Sequence, residues 1–336
     1  MKVVELQNAF GIDSLHVVDR AEPKPGHGQV LLRMRAWSLN YRDLLVAKGL
    51  YNPKLKLPMV PLSDGVGEVS QVGEGVSRVK AGDRVIGCFM PGWIGGDLTD
   101  AKARTSLGGG QQGMLAEQVV LSEEGVVHIP KHLTDEEAAT LPCAALTAWH
   151  ALVPQGNLKA GDAVLVQGTG GVSIFAMQFA RLLGARVIAT SSSNDKLARV
   201  RQMGASDTIN YKETPEWEDR VRELTGGIGV DHVVEVGGAG TLNKSLKAVR
   251  TGGRIYLIGV LSGPSNVNIM PILMKGVRVQ GIYVGSREMF EAMNRAIALH
   301  QLRPVVDRVF GFSEIAAALK YLESGSHFGK ICLRAE

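Results

Sequence analysis

Ala163-Val164-Leu165-Val166-Gln167-Gly168-Thr169-Gly170-Gly171-Val172-Ser173 is the stretch on which the fold turns. A buried-type apolar strand runs into two glycines spaced by one residue. A helix-period segment then continues to Leu183, with Gly184 as its stop. Gly168 permits a tight turn and Gly170 lets the backbone approach a pyrophosphate. The helix beginning at Gly171 would offer unpaired N–H groups and a partial positive charge to the phosphates. Ser173 stands where the fingerprint has a third glycine and is small enough for close helix–strand packing. A tight strand-to-helix turn without a ligand shares this spacing, so the surrounding pattern has to decide.

Downstream, the pattern repeats. Strands are expected at Arg186–Thr190, Thr208–Asn210, Asp231–Val236, Arg254–Val260 and Val277–Val284, with helices at 195–203, 215–224 and 242–249 between them. Strands alternating with helices predict an α/β fold with a Rossmann-type doubly wound parallel sheet. Upstream, residues 1 to about 125 read as short β segments: Val3–Leu6, Leu15–Val18, Val30–Met34, Gly67–Val72 and Arg84–Cys88, with one helix at Tyr41–Lys48 capped by Asn40. The tail mixes helices (288–299, 313–323) with strands (305–310, 330–333), a texture that suits a return to the front domain. The expected division is 1–143 with 285–336 as a β-rich domain and 144–284 as the dinucleotide-binding domain.

The end of the second Rossmann strand bears on the cofactor. An Asp or Glu there would bind a ribose 2′-hydroxyl. The sequence instead has Thr190-Ser191-Ser192-Ser193-Asn194-Asp195-Lys196. Hydroxyls and an ammonium suit a 2′-phosphate, which favours NADPH through Ser191 and Lys196; the serines equally suit a helix N-cap. Asp195, one residue into the helix, keeps NADH as the alternative.

Composition narrows the class. Glycine occupies 41 of 336 positions, against an average usage of roughly 7%, yet no collagen-like period appears. Basic and acidic residues number 37 and 33 and are interspersed, so no basic arm argues for nucleic acid. Cys88, Cys143 and Cys332 form neither a disulfide framework nor a CxxC zinc pattern. No apolar run reaches the ~18 residues of a membrane span. The expectation is a soluble, cytoplasmic protein with a small-molecule substrate.

Pro61-Leu62-Ser63-Asp64-Gly65-Val66-Gly67-Glu68-Val69, Gly82-Asp83-Arg84-Val85, Leu141-Pro142-Cys143-Ala144-Ala145-Leu146-Thr147-Ala148-Trp149 and the Gly168 turn together resemble the medium-chain dehydrogenase/reductase superfamily, end to end. Within it the chain is most similar to the zinc-independent, zeta-crystallin-like quinone oxidoreductases. The resemblance implies that the β-rich front is a GroES-like domain. Where zinc alcohol dehydrogenases of the superfamily carry Cys-His, Gly-His-Glu and a further Cys, this chain has Asn40-Tyr41, Leu62-Ser63-Asp64 and Cys143, so only Cys143 keeps a ligand type. A catalytic zinc needs about three protein ligands, and no zinc is expected. Cys143 itself reads as a small buried residue rather than a reactive thiol.

The resemblance further implies that Asn40 and Thr147 lie near the nicotinamide. It places backbone of Gly237, Ile258, Gly259, Gly281 and Tyr283 along the cofactor, whose phosphates meet Gly168, Thr169, Gly170, Gly171 and Val172. Tyr211 matches a family tyrosine touching the 2′-phosphate; a strand-end aromatic is the other reading. The family's C-terminal arginine is missing, with His327 or Lys330 as guessed substitutes. Tyr41, Tyr51 and solvent are candidate proton donors, Tyr41 being equally a pocket wall. Tyr51 and Trp93 are candidate pocket residues, Trp93 equally a plain surface-loop residue. The expected activity is zinc-independent, NADPH-dependent hydride transfer to a quinone or α,β-unsaturated carbonyl in an interdomain cleft, by a homodimer. A metal-independent alcohol dehydrogenase or aldehyde reductase, and a non-enzymatic NADPH-binding crystallin-like protein, are the alternatives.

Overall fold

The computed structural model describes residues 1–263 and 265–336. Two compact units are present, one made of Met1–Leu146 with Val284–Glu336 and the other of Thr147–Tyr283.

In the second unit six strands run parallel in the order Asp207–Asn210, Arg186–Ser191, Ala163–Gln167, Val230–Glu235, Val249–Leu257 and Arg278–Gly281. Ala163–Gln167 and Val230–Glu235 are central and nearly wholly buried, which is why they read as continuous apolar runs. The chain leaves the first strand and works outward on one side, then returns and works outward on the other. The reversal falls beside Ala163–Gln167, where open α/β sheets hold their ligands.

The helix Gly171–Leu182 packs Ile174, Phe175, Met177 and Phe179 inward. The Phe179 ring lies 5.3 Å from Trp149 in an edge-on pair and 6.1 Å from Phe175. Each such buried side chain contributes roughly 1.5–3 kcal/mol of apolar burial, and Phe179→Ala would cost about 3–5 kcal/mol. The core beneath is built from Leu165, Ile188, Val221, Val233, Leu246 and Ile255 among others.

The first unit is a seven-stranded sheet centred on Gln29–Ser38, which pairs antiparallel with Asp64–Val72, Gln118–Ser122 and Lys330–Arg334. Its central strand runs four residues beyond the expected Met34, because Trp37 is fully buried and donates its indole N–H to Met114 O at 2.5 Å. The C-terminal strands join this sheet: Cys332 pairs with Ser38, and Val306–Gly311 lies outside Lys330–Arg334. Trp37 also packs on Phe312, ring centroids 5.1 Å apart.

Residues 141–155, for which no elements were expected, are helical, with π-helical turns at Leu141–Ala145 and Ala151–Gln155. Pro142 and Pro154 sit in these widened turns, where a missing N–H is less disruptive. No helix among the described residues is long and apolar enough to cross a membrane.

Candidate active site and nucleotide-binding residues

The phosphate turn takes the expected form. Gly168 has φ +71°, a left-handed conformation that disfavours any side chain, and its N–H donates to Thr190 O at 2.8 Å. Gly170 is the N-cap of the twelve-residue helix Gly171–Leu182, and a Cβ placed on it would meet no protein atom within 4 Å. Thr169 is buried, while Gly171 and Val172 are partly exposed at the helix start. The Ser173 hydroxyl donates to Gln167 O at 2.6 Å, clamping helix to strand where the fingerprint's third glycine would allow close packing.

Ser191, Lys196 and Tyr211 come together at one end of the sheet. Ser191 pairs with Asn210 across the strands, and Tyr211 N–H donates to Ser191 O at 3.1 Å. Ser193 caps the helix Asn194–Gln202 by accepting from Lys196 N at 3.4 Å, and its own N–H donates to Ser191 Oγ at 3.3 Å. The serine run thus has the N-cap role and the strand-end location at once. Glu213, not singled out by the sequence, joins this end: its Oε1 accepts from Asn194 Nδ2 at 2.7 Å and Asn210 Nδ2 at 3.0 Å. Spacing gives no sign of it, since the contact arises from a turn after a strand only four residues long.

Gly237, Ile258, Gly259 and Gly281 lie at the ends of the remaining strands, with Tyr283 shortly beyond. Gly259 is required sterically: a Cβ there would sit 1.9 Å from Val236 O. Thr147 is buried in the short helix Leu146–His150.

In the first unit, Asn40 caps the helix Tyr41–Ala47, and Asp43 accepts from Asn40 N–H at 2.8 Å. Around this helix start lies a buried charged cluster. Lys330, only 3% exposed, donates to Asn40 Oδ1 at 2.6 Å and to Leu39 O. Asp64 is fully buried, accepting from the Ser63 hydroxyl at 2.7 Å and from Cys143 N–H at 3.3 Å. The Asn40 amide also faces Asp64 and lowers its pKa, though Nδ2 lacks the geometry of a full hydrogen bond. Burial pushes the Asp64 carboxyl up, opposed chiefly by the Lys330 charge, and pushes Asp43 up to about 6 against the pull of Arg42. It also pushes the Cys143 thiol up.

Lys330 corrects the guess that it could contact a cofactor phosphate: its ammonium is engaged at Leu39 and Asn40 inside the first unit. A lysine directly after a His-Phe-Gly turn carries no sequence mark of burial. Tyr41 and Tyr51 are partly exposed, and the Arg42 guanidinium lies 5.5 Å from the Tyr51 ring centre and 4.4 Å from that of Phe89. Trp93 is buried in its own loop, donating its indole N–H to Gly96 O at 2.8 Å. A cavity of about 640 Å³ on this unit is lined by residues such as Val60, Ile94, Leu107 and Val119; Asn40, Tyr41, Tyr51 and Trp93 do not line it. Among the described residues, no group of three or more His, Cys, Asp or Glu side chains is arranged as a metal-ligand set.

Two family models match the chain: an alcohol dehydrogenase GroES-like domain over residues 26–131 and a zinc-binding dehydrogenase over residues 171–298. The chain is 42% identical over 334 residues to a zinc-type alcohol dehydrogenase-like protein of Schizosaccharomyces pombe, covering 97% of this chain and 96% of that protein. It is 30% identical to the quinone oxidoreductase of Sus scrofa, covering 89% and 87%. Among solved structures, a mycobacterial protein complexed with NADPH superimposes with a TM-score of 0.83 at 28% identity, over 99% of each chain. The paired matches, the strand order and the glycine turn agree, and the chain belongs to the medium-chain dehydrogenase/reductase superfamily of NAD(P)-binding oxidoreductases.

Proposed function

We propose that the protein transfers hydride from NADPH to a quinone or α,β-unsaturated carbonyl compound without a catalytic zinc. The observation that carries this reading is Lys330. Its buried ammonium bonds Asn40 and acts electrostatically on Cys143, two of the positions that match the zinc ligands of related enzymes, and on Asp64 beside Ser63, the third such position. A fixed positive charge amid Asn, Tyr, Ser, a single Cys and an Asp64 carboxyl already held by Ser63 and Cys143 is unsuited to a dication, which takes about four N, S or O ligands. With no Lewis acid to polarise an alcohol, an acceptor whose own conjugation spreads the developing charge is favoured.

NADPH, when bound, supplies the hydride. The chain's groups would hold it in place: N–H groups at the start of Gly171–Leu182 meet the pyrophosphate, while Ser191, Lys196 and Tyr211 meet the 2′-phosphate. Thr147 and the backbone at Gly237, Ile258, Gly259, Gly281 and Tyr283 would line the nicotinamide half. The partly exposed Tyr41 phenol would donate a hydrogen bond to the acceptor's carbonyl oxygen, beside an Asn40 amide fixed by Lys330.

Metal analysis of the purified protein, with activity before and after chelation on a panel of quinones, enones, aldehydes and alcohols, tests this reading. The expected result is no stoichiometric zinc, chelator-insensitive reduction of quinones or enones, and greater thermal stabilisation by NADPH than by NADH. Stoichiometric zinc with alcohol oxidation would overturn it.

A homodimer also fits the surface. The edge strand Arg278–Gly281 follows in sequence the helix Met270–Met274, which exposes Met270, Leu273 and Met274. Light scattering should give twice the chain mass, and Leu273→Lys should shift it toward the monomer; a monomeric wild type would refute the dimer. A cytoplasmic location is part of the same proposal; three free cysteines suit a reducing compartment, and cell fractionation checks it.

A further inference from the structure

Three loops leave the C-terminal ends of the central strands in the second unit, and one buried residue ties them together through its carboxylate and its main-chain oxygen. Glu235, the last residue of Val230–Glu235, is fully buried. Its Oε1 accepts from Gly237 N–H at 2.9 Å, Gly238 N–H at 3.0 Å and the Thr241 hydroxyl at 2.6 Å. Its Oε2 accepts from the Gln167 amide at 2.8 Å and from the Ser245 hydroxyl. A buried carboxylate is costly unless its lone pairs are taken up, and here five donors converge on it. A carboxylate is acceptor-only, so it takes all five at once, whereas an amide in its place would turn N–H groups against donors.

The connections run further on both sides. Gln167 immediately precedes Gly168, accepts from Gly237 N–H at 3.3 Å through its side chain, and takes the Ser173 hydroxyl on its main-chain oxygen. The main-chain oxygen of Glu235 accepts from Ile258 N–H at 2.9 Å and Gly259 N–H at 3.3 Å. Ser262 closes the network, donating to Gly237 O at 2.7 Å and accepting from Gly240 N–H at 2.8 Å.

We propose that Glu235 is a positioning residue that couples the two halves of the dinucleotide site, setting the phosphate turn through Gln167 and the 237–241 and 258–262 loops through its carboxylate and main chain. The inference rests on the reading that places the nicotinamide half against Gly237, Ile258 and Gly259. Because one carboxylate fixes both conformations, occupancy at either end favours the conformation that the other end requires. Linkage makes that coupling reciprocal.

The test uses the full chain and two separate halves of the cofactor, adenosine 2′,5′-bisphosphate and reduced nicotinamide mononucleotide, titrated calorimetrically alone and together. In the wild type each half should raise the affinity of the other by at least about 5-fold. In Glu235→Gln the adenosine half should still bind while the coupling factor falls toward unity. Thr241→Val, which keeps the carboxylate and removes one donor, should give an intermediate factor. Unchanged coupling in a natively folded Glu235→Gln, or in Thr241→Val if the first variant does not fold, would overturn the proposal. So would independent binding of the two halves to the wild type. Failure of the wild type to bind either half would instead remove the dinucleotide reading on which the proposal stands, and the proposal with it.

Discussion

Lys330 Nζ lies 2.6 Å from Asn40 Oδ1, and both side chains are buried. The ammonium is the counter-charge for Asp64 and contributes the same pull at Asp43. Lys330→Met leaves those carboxyls with Arg42 as their remaining basic neighbour in the cluster. A hydrogen bond from a charged donor contributes about 1.5–3 kcal/mol, so loss of the Lys330 contacts to Asn40 and Leu39 should lower stability in urea unfolding by that order, with Lys330→Arg losing less. A loss below about 1 kcal/mol, the range of exposed pairs, would mean the cluster is not held by charge.

Asp43 gives the site a pH signature. Its carboxyl is raised from 3.8 to about 6 by burial, so the folded protein keeps a proton that the unfolded chain releases between those values. The stabilisation from this group is therefore complete below about pH 4 and is lost as pH rises through about 6, amounting to roughly 3 kcal/mol. Asp43→Asn should flatten the dependence of stability on pH between 4 and 6 relative to the wild type. Parallel denaturation series for the two proteins would exclude the assignment.

Gly170 separates binding from folding. Its φ of −78° suits any residue, and a Cβ would meet no protein atom within 4 Å. Gly170→Val should leave the circular dichroism spectrum and unfolding cooperativity nearly unchanged while abolishing thermal stabilisation by NADPH. Retained stabilisation would show that the pyrophosphate lies elsewhere.

Selectivity for the 2′-phosphate can be moved in both directions. Ser191→Asp places a carboxylate at the strand end, where like charges about 4 Å apart repel by about 4 kcal/mol at an effective dielectric of about 20. The NADPH-to-NADH affinity ratio should fall at least about tenfold. Glu213→Gln removes the negative charge now held by Asn194 and Asn210 and should raise that ratio. Competitive binding of the two cofactors checks both, and an unchanged ratio in Ser191→Asp would displace the 2′ assignment.

The nucleotide half of the chain was legible because its signals are local. The strand Ala163–Gln167 was bounded correctly and its helix to within one residue, since apolar runs, glycines and caps act within a few positions. The strand Val249–Leu257 begins five residues earlier than expected, across Gly252-Gly253 and a register shift opposite Val230–His232, where a glycine pair reads as a turn. Gln118–Ser122 and Val126–His128 went unread because short strands draw their stability from pairing partners far away in sequence. Lys330 and Glu235 were illegible for the same reason. A charged residue in sequence signals solvent, and only the assembled sheet shows the partners that make its burial tolerable.

Pairing of Cys332 with Ser38 also constrains the order of assembly. The unit Thr147–Tyr283 is continuous, so every strand of its sheet is available once that stretch has been synthesised. The first unit must wait: two of its seven strands come from Val306–Gly311 and Lys330–Arg334, nearly three hundred residues after the strand they extend. During synthesis at about 5–20 residues per second, the edge of Gln29–Ser38 that receives Lys330–Arg334 stays unpaired for tens of seconds. The nucleotide-binding unit is thus the part able to fold on the ribosome, and the half that carries Asn40 is completed last.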